Sequence, residues 1–121
     1  MESKAHRTIK EMKRVDKTWG YELWIVNNDQ YCGKMLYVNE GMCCSFHHHP
    51  IKAETFFVHQ GLIRLEVGNC EDVSKAEIVE LTPADAYDLT PFTWHRFTAM
   101  GGDAVIYEFS TRHSDCDVVR A

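Results

Sequence analysis

Turn signals recur along this sequence at spacings of roughly 8–12 residues, and that punctuation leaves room for little but a sandwich or barrel of short strands. The turns are Asn27-Asn28-Asp29, Asn39-Glu40-Gly41, His59-Gln60-Gly61, Thr82-Pro83-Ala84-Asp85, Thr90-Pro91-Phe92-Thr93 and Gly101-Gly102-Asp103. Between them lie runs rich in strand-forming residues, such as Leu23-Trp24-Ile25-Val26. Several alternate cleanly. Ile63, Leu65 and Val67 share one face with Arg64 and Glu66 on the other, and His95, Phe97 and Ala99 share a face further on. On this pattern residues 54–59 and 62–68 are separate strands, as are 94–100 and 104–110. No repeat, dinucleotide-binding glycine pattern or phosphate loop is present.

Within that frame one segment carries chemistry: Gly41-Met-Cys-Cys-Ser-Phe-His-His-His-Pro-Ile-Lys-Ala-Glu-Thr-Phe-Phe-Val-His-Gln-Gly61. Residues two apart on a strand point the same way, so His47 and His49 project together. Pro50-Ile51-Lys52-Ala53 turns the chain, and Glu54 opens the next strand. Two imidazoles and a carboxylate then converge across a short connection, a donor set suited to zinc, manganese, iron, nickel or copper. His95 is the candidate for a fourth ligand. The alternative is a solvated polar run. Burial decides between them, because inward-facing His and Glu without partners would cost several kcal/mol, a cost that a metal removes by occupying their lone pairs.

The segment resembles the first motif of the cupin superfamily at Gly41, His47, His49, Glu54 and Gly61. Residues 84–99 resemble the second motif, with His95 in place and Ala84, Phe92 and Ala99 standing where that motif has Gly, Gly and Asn. The resemblance implies an all-β, single-domain cupin, a double-stranded β-helix or jelly-roll barrel. It also implies one divalent transition metal ion (Zn, Mn, Fe or Ni) held by His47, His49, Glu54 and His95. The domain then covers residues 17–121, with residues 1–16 as an N-terminal arm or short helix.

The flanks resemble a particular branch. Lys17-Thr18-Trp19-Gly20-Tyr21-Glu22 is similar to the entry segment of the cupin in type II phosphomannose isomerases and of small D-lyxose-isomerase-like cupins. Ile106 to Arg120 resembles their last strand and the Asp-x-x-Arg segment after it. This implies a metal-dependent aldose–ketose isomerase acting on a sugar or sugar phosphate, with Tyr107 and Arg120 as substrate-binding residues. Glu108 and Lys34 are the candidate bases, although strand parity alone does not say which way either points. Asp117 and Arg120 read otherwise as a surface salt bridge, and Trp19-Gly20-Tyr21 as aromatic packing. Two further readings stay open: a non-catalytic cupin that binds a sugar or other small molecule, and a metal-dependent dioxygenase.

Bulk properties exclude other classes. A net charge of −5 offers no basic footprint for nucleic acid and disfavours an anionic membrane surface. No apolar run approaches the ~18 residues of a membrane span. The charged N-terminal stretch has no apolar centre, so it does not read as a secretory signal. Five cysteines without a C-x-x-C pair then fit reduced thiols in a cytoplasm. Cys43 shares strand parity with His47 and His49, which would aim it into the cavity, or it is a small buried apolar residue. Apolar residues on both strand faces (Trp24, Phe56, Phe57, Phe109) point to a homodimer.

Overall fold

The computed structural model describes residues 5–121. Its strands form one antiparallel sheet that curls around a single core. β1 (Lys13–Lys17), β2 (Gly20–Asn27) and β3 (Cys32–Val38) make an up-and-down meander. β4 (His47–His48) is short, and β5 (Glu54–Gly68) is long. β6 (Glu77–Leu81) and β7 (Ala86–Leu89) follow, then the longest strand, β8 (Trp94–Ser110), and a short β9 (Val119–Arg120).

β5 and β8 are the spine. They pair from Glu54↔Ser110 to Gly68↔Trp94. The C-terminal half of β8 also pairs with β3, while its N-terminal end pairs with β4 at His47↔His95. β7 lies on the first half of β5 and β6 on the second. Each spine strand therefore belongs to both walls of the curled sheet. The turns expected at His59-Gln60-Gly61 and Gly101-Gly102-Asp103 are not hairpins, since both strands run straight through them. The turn residues act as bends instead. β5 shifts register between Val58 and Gln60 and again between Gln60 and Leu62, and Gly61 sits at φ 87°. Such bulges let a strand turn a corner from one wall to the other. Gly61 has no alternative here, because a Cβ would lie 2.6 Å from the Asp103 carbonyl oxygen.

The second motif keeps its turn geometry without its glycines. Ala84 and Phe92, at the two substituted positions, have φ of 72° and 68°. A left-handed conformation costs a residue with a Cβ roughly 1–2 kcal/mol. Backbone hydrogen bonds hold both in place: Ala84 N donates to Val58 O and Phe92 N to His49 O.

Leu36, Val38, Val58, Ile63, Leu65, Phe97 and Ile106 fill the core, fully shielded or nearly so. Each such side chain contributes about 1.5–3 kcal/mol on burial. Trp19 packs edge-on against Phe97 at 5.0 Å, so the aromatic entry segment is core packing. Of the four residues expected to mark a dimer face, Phe56 belongs to this core and Trp24 lines the cavity. Phe57 is half-buried and Phe109 is exposed. Of the expected N-terminal arm, residues 1–4 lie outside the described residues. Ile9–Glu11 form a single 3-10 turn, and Lys13–Lys17 pair with β2. Among the described residues no helix is long and apolar enough to cross a membrane.

Candidate metal centre and its cavity

The curled sheet encloses a cavity of about 540 Å³. At its floor the ring nitrogens of His47, His49 and His95 converge, with one donor atom from each within 4.8 Å of the others. Cross-strand pairing of His47 with His95 brings β4 and β8 together there, and His49 follows two residues on. His48 points to the opposite face, its ring against Trp94 and Phe92.

Each of the three rings is oriented by a backbone carbonyl. Nδ1 of His47 meets Ser45 O at 2.8 Å, Nδ1 of His49 meets Asp117 O at 2.6 Å, and Nδ1 of His95 meets Thr93 O at 2.8 Å. A carbonyl only accepts, so every Nδ1 carries a proton and Nε2 is the ring atom left to face the cavity. This is the arrangement that fixes tautomer and ring direction around a metal. Burial, followed by the neighbouring His95, pushes His47 down to about 3. Burial and then the Lys52 ammonium push His49 down to about 4. Both rings are neutral at pH 7, the form in which an imidazole can ligate a metal.

Glu54 lies beside this three-histidine cluster without being part of it. Its Oε1 lies 2.9 Å from His95 Nε2 and its Oε2 3.8 Å from His49 Nε2. His95 Nε2 and Glu54 Oε2 are both buried: the ring nitrogen completes no hydrogen bond, while the carboxylate oxygen has the Lys52 ammonium 3.0 Å away. A cation bound at His95 Nε2 would give that atom a partner. Three imidazoles with a carboxylate beside them are donor types suited to a divalent transition metal. Burial alone would raise the Glu54 carboxyl, but the contact with His95 and the Lys52 ammonium outweigh it and hold the group below the usual carboxylate range.

Lys52, which the sequence places in a turn, is the centre of the buried network. Its Nζ lies 3.0 Å from Glu54 Oε2, 3.2 Å from Glu108 Oε2 and 3.2 Å from His113 Nδ1. Burial opposes its charge, but Glu108 and Glu54 more than compensate and keep it firmly protonated. Asp117 is what turns it inward. The Asp117 carboxylate accepts the backbone N–H groups of Ile51 and Lys52, at 2.9 and 2.8 Å, while its carbonyl orients His49. Asp117 is thus buried beneath the site and has no surface salt bridge with Arg120.

Both candidate bases face the cavity. Lys34 and Glu108 are direct cross-strand partners on β3 and β8, and both are buried. Lys34 pairs with Glu22 at 3.5 Å and lies 4.3 Å from the Trp24 ring centre. Burial first, and then the Glu54 charge, raise the Glu108 carboxyl, with Lys52 and Lys34 opposing. Arg120 lines the cavity as an exposed residue. Tyr107 does not line it: one residue before Glu108, it points to the other face of β8 and lies against the ring of His59. Cys43 is exposed, and its neighbour Cys44 is the buried cysteine at the cavity wall. Residues 43–46 form no continuous strand, so parity counted back from His47 does not carry to Cys43.

No protein-family model matches the sequence. Among curated proteins the chain is similar to the D-lyxose/D-mannose isomerase of Thermosediminibacter oceani, at 34% identity over 74% of this chain and 60% of that protein. It is also similar to the D-lyxose ketol-isomerase of a Thermofilum species, at 32% identity over 81% of this chain and 66% of that one. The chain thus spans roughly three-fifths to two-thirds of the length of these relatives. Among solved structures it superposes on oxalate decarboxylase from Bacillus subtilis with a TM-score of 0.81, at 13% identity, covering 94% of this chain and 31% of that one. KdgF from Halomonas gives 0.73 at 18% identity, covering 88% and 92%. The capsular polysaccharide assembling protein CapF from Staphylococcus aureus gives 0.75 at 18%, covering 90% and 34%. At such identities these likenesses speak for the fold alone.

Proposed function

Because this chain is a cupin similar in sequence to D-lyxose isomerases, we propose that it interconverts an aldose and its ketose, using a divalent transition metal held by His47, His49, Glu54 and His95. The observation that carries the reading is the buried Lys52 ammonium clasped by Glu54 and Glu108, beside three inward Nε2 atoms in one cavity. A site that only bound a sugar would not need two carboxylates and an ammonium buried together. The names of the relatives make D-lyxose and D-mannose the first substrates to test.

When bound, the ion supplies Lewis-acid polarisation of the sugar's carbonyl and adjacent hydroxyl oxygens. The chain's own residues supply the rest. Glu108, with its carboxyl raised above the usual range, accepts the proton from C2 and returns it to C1. Lys52, kept charged by its two carboxylates, offsets the negative charge that develops on the sugar oxygens. Lys34 adds a second positive charge across the sheet from Glu108. Phe56 and Phe97 wall the floor and exclude water from the reacting carbons.

The test is ketose formation from D-lyxose and D-mannose by protein loaded in turn with manganese, cobalt, nickel and zinc. Elemental mass spectrometry of the purified chain and of a His47→Ala/His49→Ala variant runs alongside. We expect about one ion per chain, lost in the double variant, and turnover that depends on it. Saturable sugar binding without ketose would support a binding cupin, and oxygen consumption with iron would support a dioxygenase. A chain that takes up no metal overturns the reading.

A further inference from the structure

Among the described residues one further histidine lines the cavity, His113, and it is not part of the three-histidine cluster. Its ring is held on three sides. Nε2 meets Asp115 Oδ1 at 2.9 Å, Nδ1 meets Lys52 Nζ at 3.2 Å, and the ring lies edge-on to Trp24 at 5.0 Å. The backbone is pinned as well. His113 N–H donates to Asn27 Oδ1 at 2.9 Å, and Asn27 Nδ2 donates to the His113 carbonyl at 3.2 Å. The last residue of β2 thus fixes a loop 86 positions away.

An ammonium only donates, so His113 Nδ1 accepts from Lys52 and the ring proton sits on Nε2, where the Asp115 carboxylate takes it. This is the reverse of the cluster histidines, whose Nδ1 atoms donate to backbone carbonyls. Burial, and then the Lys34 and Lys52 ammonium groups, lower His113 and keep the ring neutral at pH 7. The hydrogen bond from His113, and more weakly the charges of Lys13 and Lys34, hold Asp115 below the usual carboxylate range. Neutrality of the ring suits the network that it completes. Lys52 has three N–H groups, and Glu54 and Glu108 already accept two of them. A third carboxylate there would leave the buried site with excess negative charge, whereas an imidazole satisfies the last N–H and adds none. The charge that fixes the tautomer stays outside, on an Asp115 side chain 82% exposed, where it costs little.

We propose that His113, held as the Nε2–H tautomer by Asp115, is a positioning residue whose Nδ1 takes the third N–H of Lys52 and so aims the ammonium between Glu54 and Glu108. It acts through Lys52 rather than on the substrate. The positioning rests on the geometry alone, and its effect on turnover rests on the isomerase reading. Without the acceptor, one buried N–H loses its partner and the ammonium is free to leave the place from which it offsets charge on the sugar oxygens.

Two variants of the full chain separate the acceptor from the packing. In His113→Asn the side-chain oxygen takes the place of Nδ1 and the ring is lost. In His113→Phe a ring stays against Trp24 and the acceptor is lost. With metal-loaded protein, His113→Phe should lower kcat about tenfold or more, the worth of one hydrogen bond to a charged group, with KM and metal content unchanged. His113→Asn should restore most of that loss. Equal kcat in the two variants, or a better Phe than Asn, overturns the proposal, and so does a change confined to KM or metal content. Nitrogen-15 NMR of the unsubstituted, metal-free chain reads the geometry without any activity. The His113 proton should sit on Nε2 at pH 7, opposite to His47, His49 and His95, and a proton on Nδ1 sinks the idea. Absence of ketose from every sugar defeats the isomerase reading instead. The positioning role then stands or falls on that tautomer, and on a Lys52 ammonium signal that shifts in His113→Phe but not in His113→Asn.

Discussion

The floor and the mouth of the cavity are built on opposite rules. At the floor, buried charges are strictly paired: Lys52 has three partners, and Glu54 and Glu108 share it. At the mouth, Lys17 and Arg120 stand exposed with no partner among the described residues. The difference follows from solvation. An unpaired charge in water costs little, whereas one buried away from water costs several kcal/mol. The floor must therefore be complete before substrate arrives, and only the mouth can leave charges unpaired.

The largest effect should come from breaking the floor. Lys52→Met leaves two carboxylates facing each other without a counter-ion, and about 3–5 kcal/mol of stability should be lost in urea unfolding. Lys17→Met at the mouth should stay within about 0.5 kcal/mol. If the two substitutions cost the same, the contrast is wrong.

Glu108→Gln tests chemistry rather than stability. It keeps shape and hydrogen-bonding capacity but removes the base, so kcat should fall about 10²–10⁴-fold. A fall in affinity alone, with kcat intact, would move the base elsewhere.

Asp117→Ala frees the backbone N–H groups of Ile51 and Lys52. A loss of roughly 1–3 kcal/mol is expected, together with weaker metal retention through His49. Unchanged metal affinity would separate the loop from the ligand it appears beside.

Acid should weaken the floor first. His47 and His49 have lowered values, so the unfolded chain takes up protons before the folded one does. Their contribution is whole above the ordinary histidine value of 6.5 and is lost as pH falls through about 4 and then about 3. Glu54, also lowered, acts in the same direction, while Glu108, raised, opposes it. Urea midpoints of metal-free protein should therefore drop between pH 7 and pH 4. A flat profile would mean that the rings are not neutral ligands.

The smallest change is a control outside both regions. Ala84→Gly relieves a positive φ but loosens the unfolded chain, so a net gain of up to about 1 kcal/mol is expected, with metal and ligand binding unmoved.

Much of the site could be read from local pattern. His47 and His49 project together because strand period is two, and the glycine-bounded segment holds Glu54 as well, whereas His95 came from the resemblance of residues 84–99 to a second motif. Lys34 and Glu108 were candidates whose direction stayed open, since apolar residues occupy both faces of their strands: Met35 and Leu36 beside Lys34, Ile106 and Phe109 around Glu108. Burial of Leu36 and Ile106 resolves the phase and turns both charged residues inward. Tyr107 falls on the outer face by the same alternation.

Composition, turn spacing and strand period thus determined an all-β chain with two histidines on one face and the residues of a metal site nearby, because these depend on neighbours a few positions apart. Tertiary structure alone decided that the glycine turns are corners within continuous strands, and that Lys52 rather than Cys43 enters the cavity. It also decided that Asp117, 65 residues beyond Lys52, holds the loop that puts it there. A loop residue's direction depends on hydrogen bonds from distant chain, and no period along the sequence encodes those.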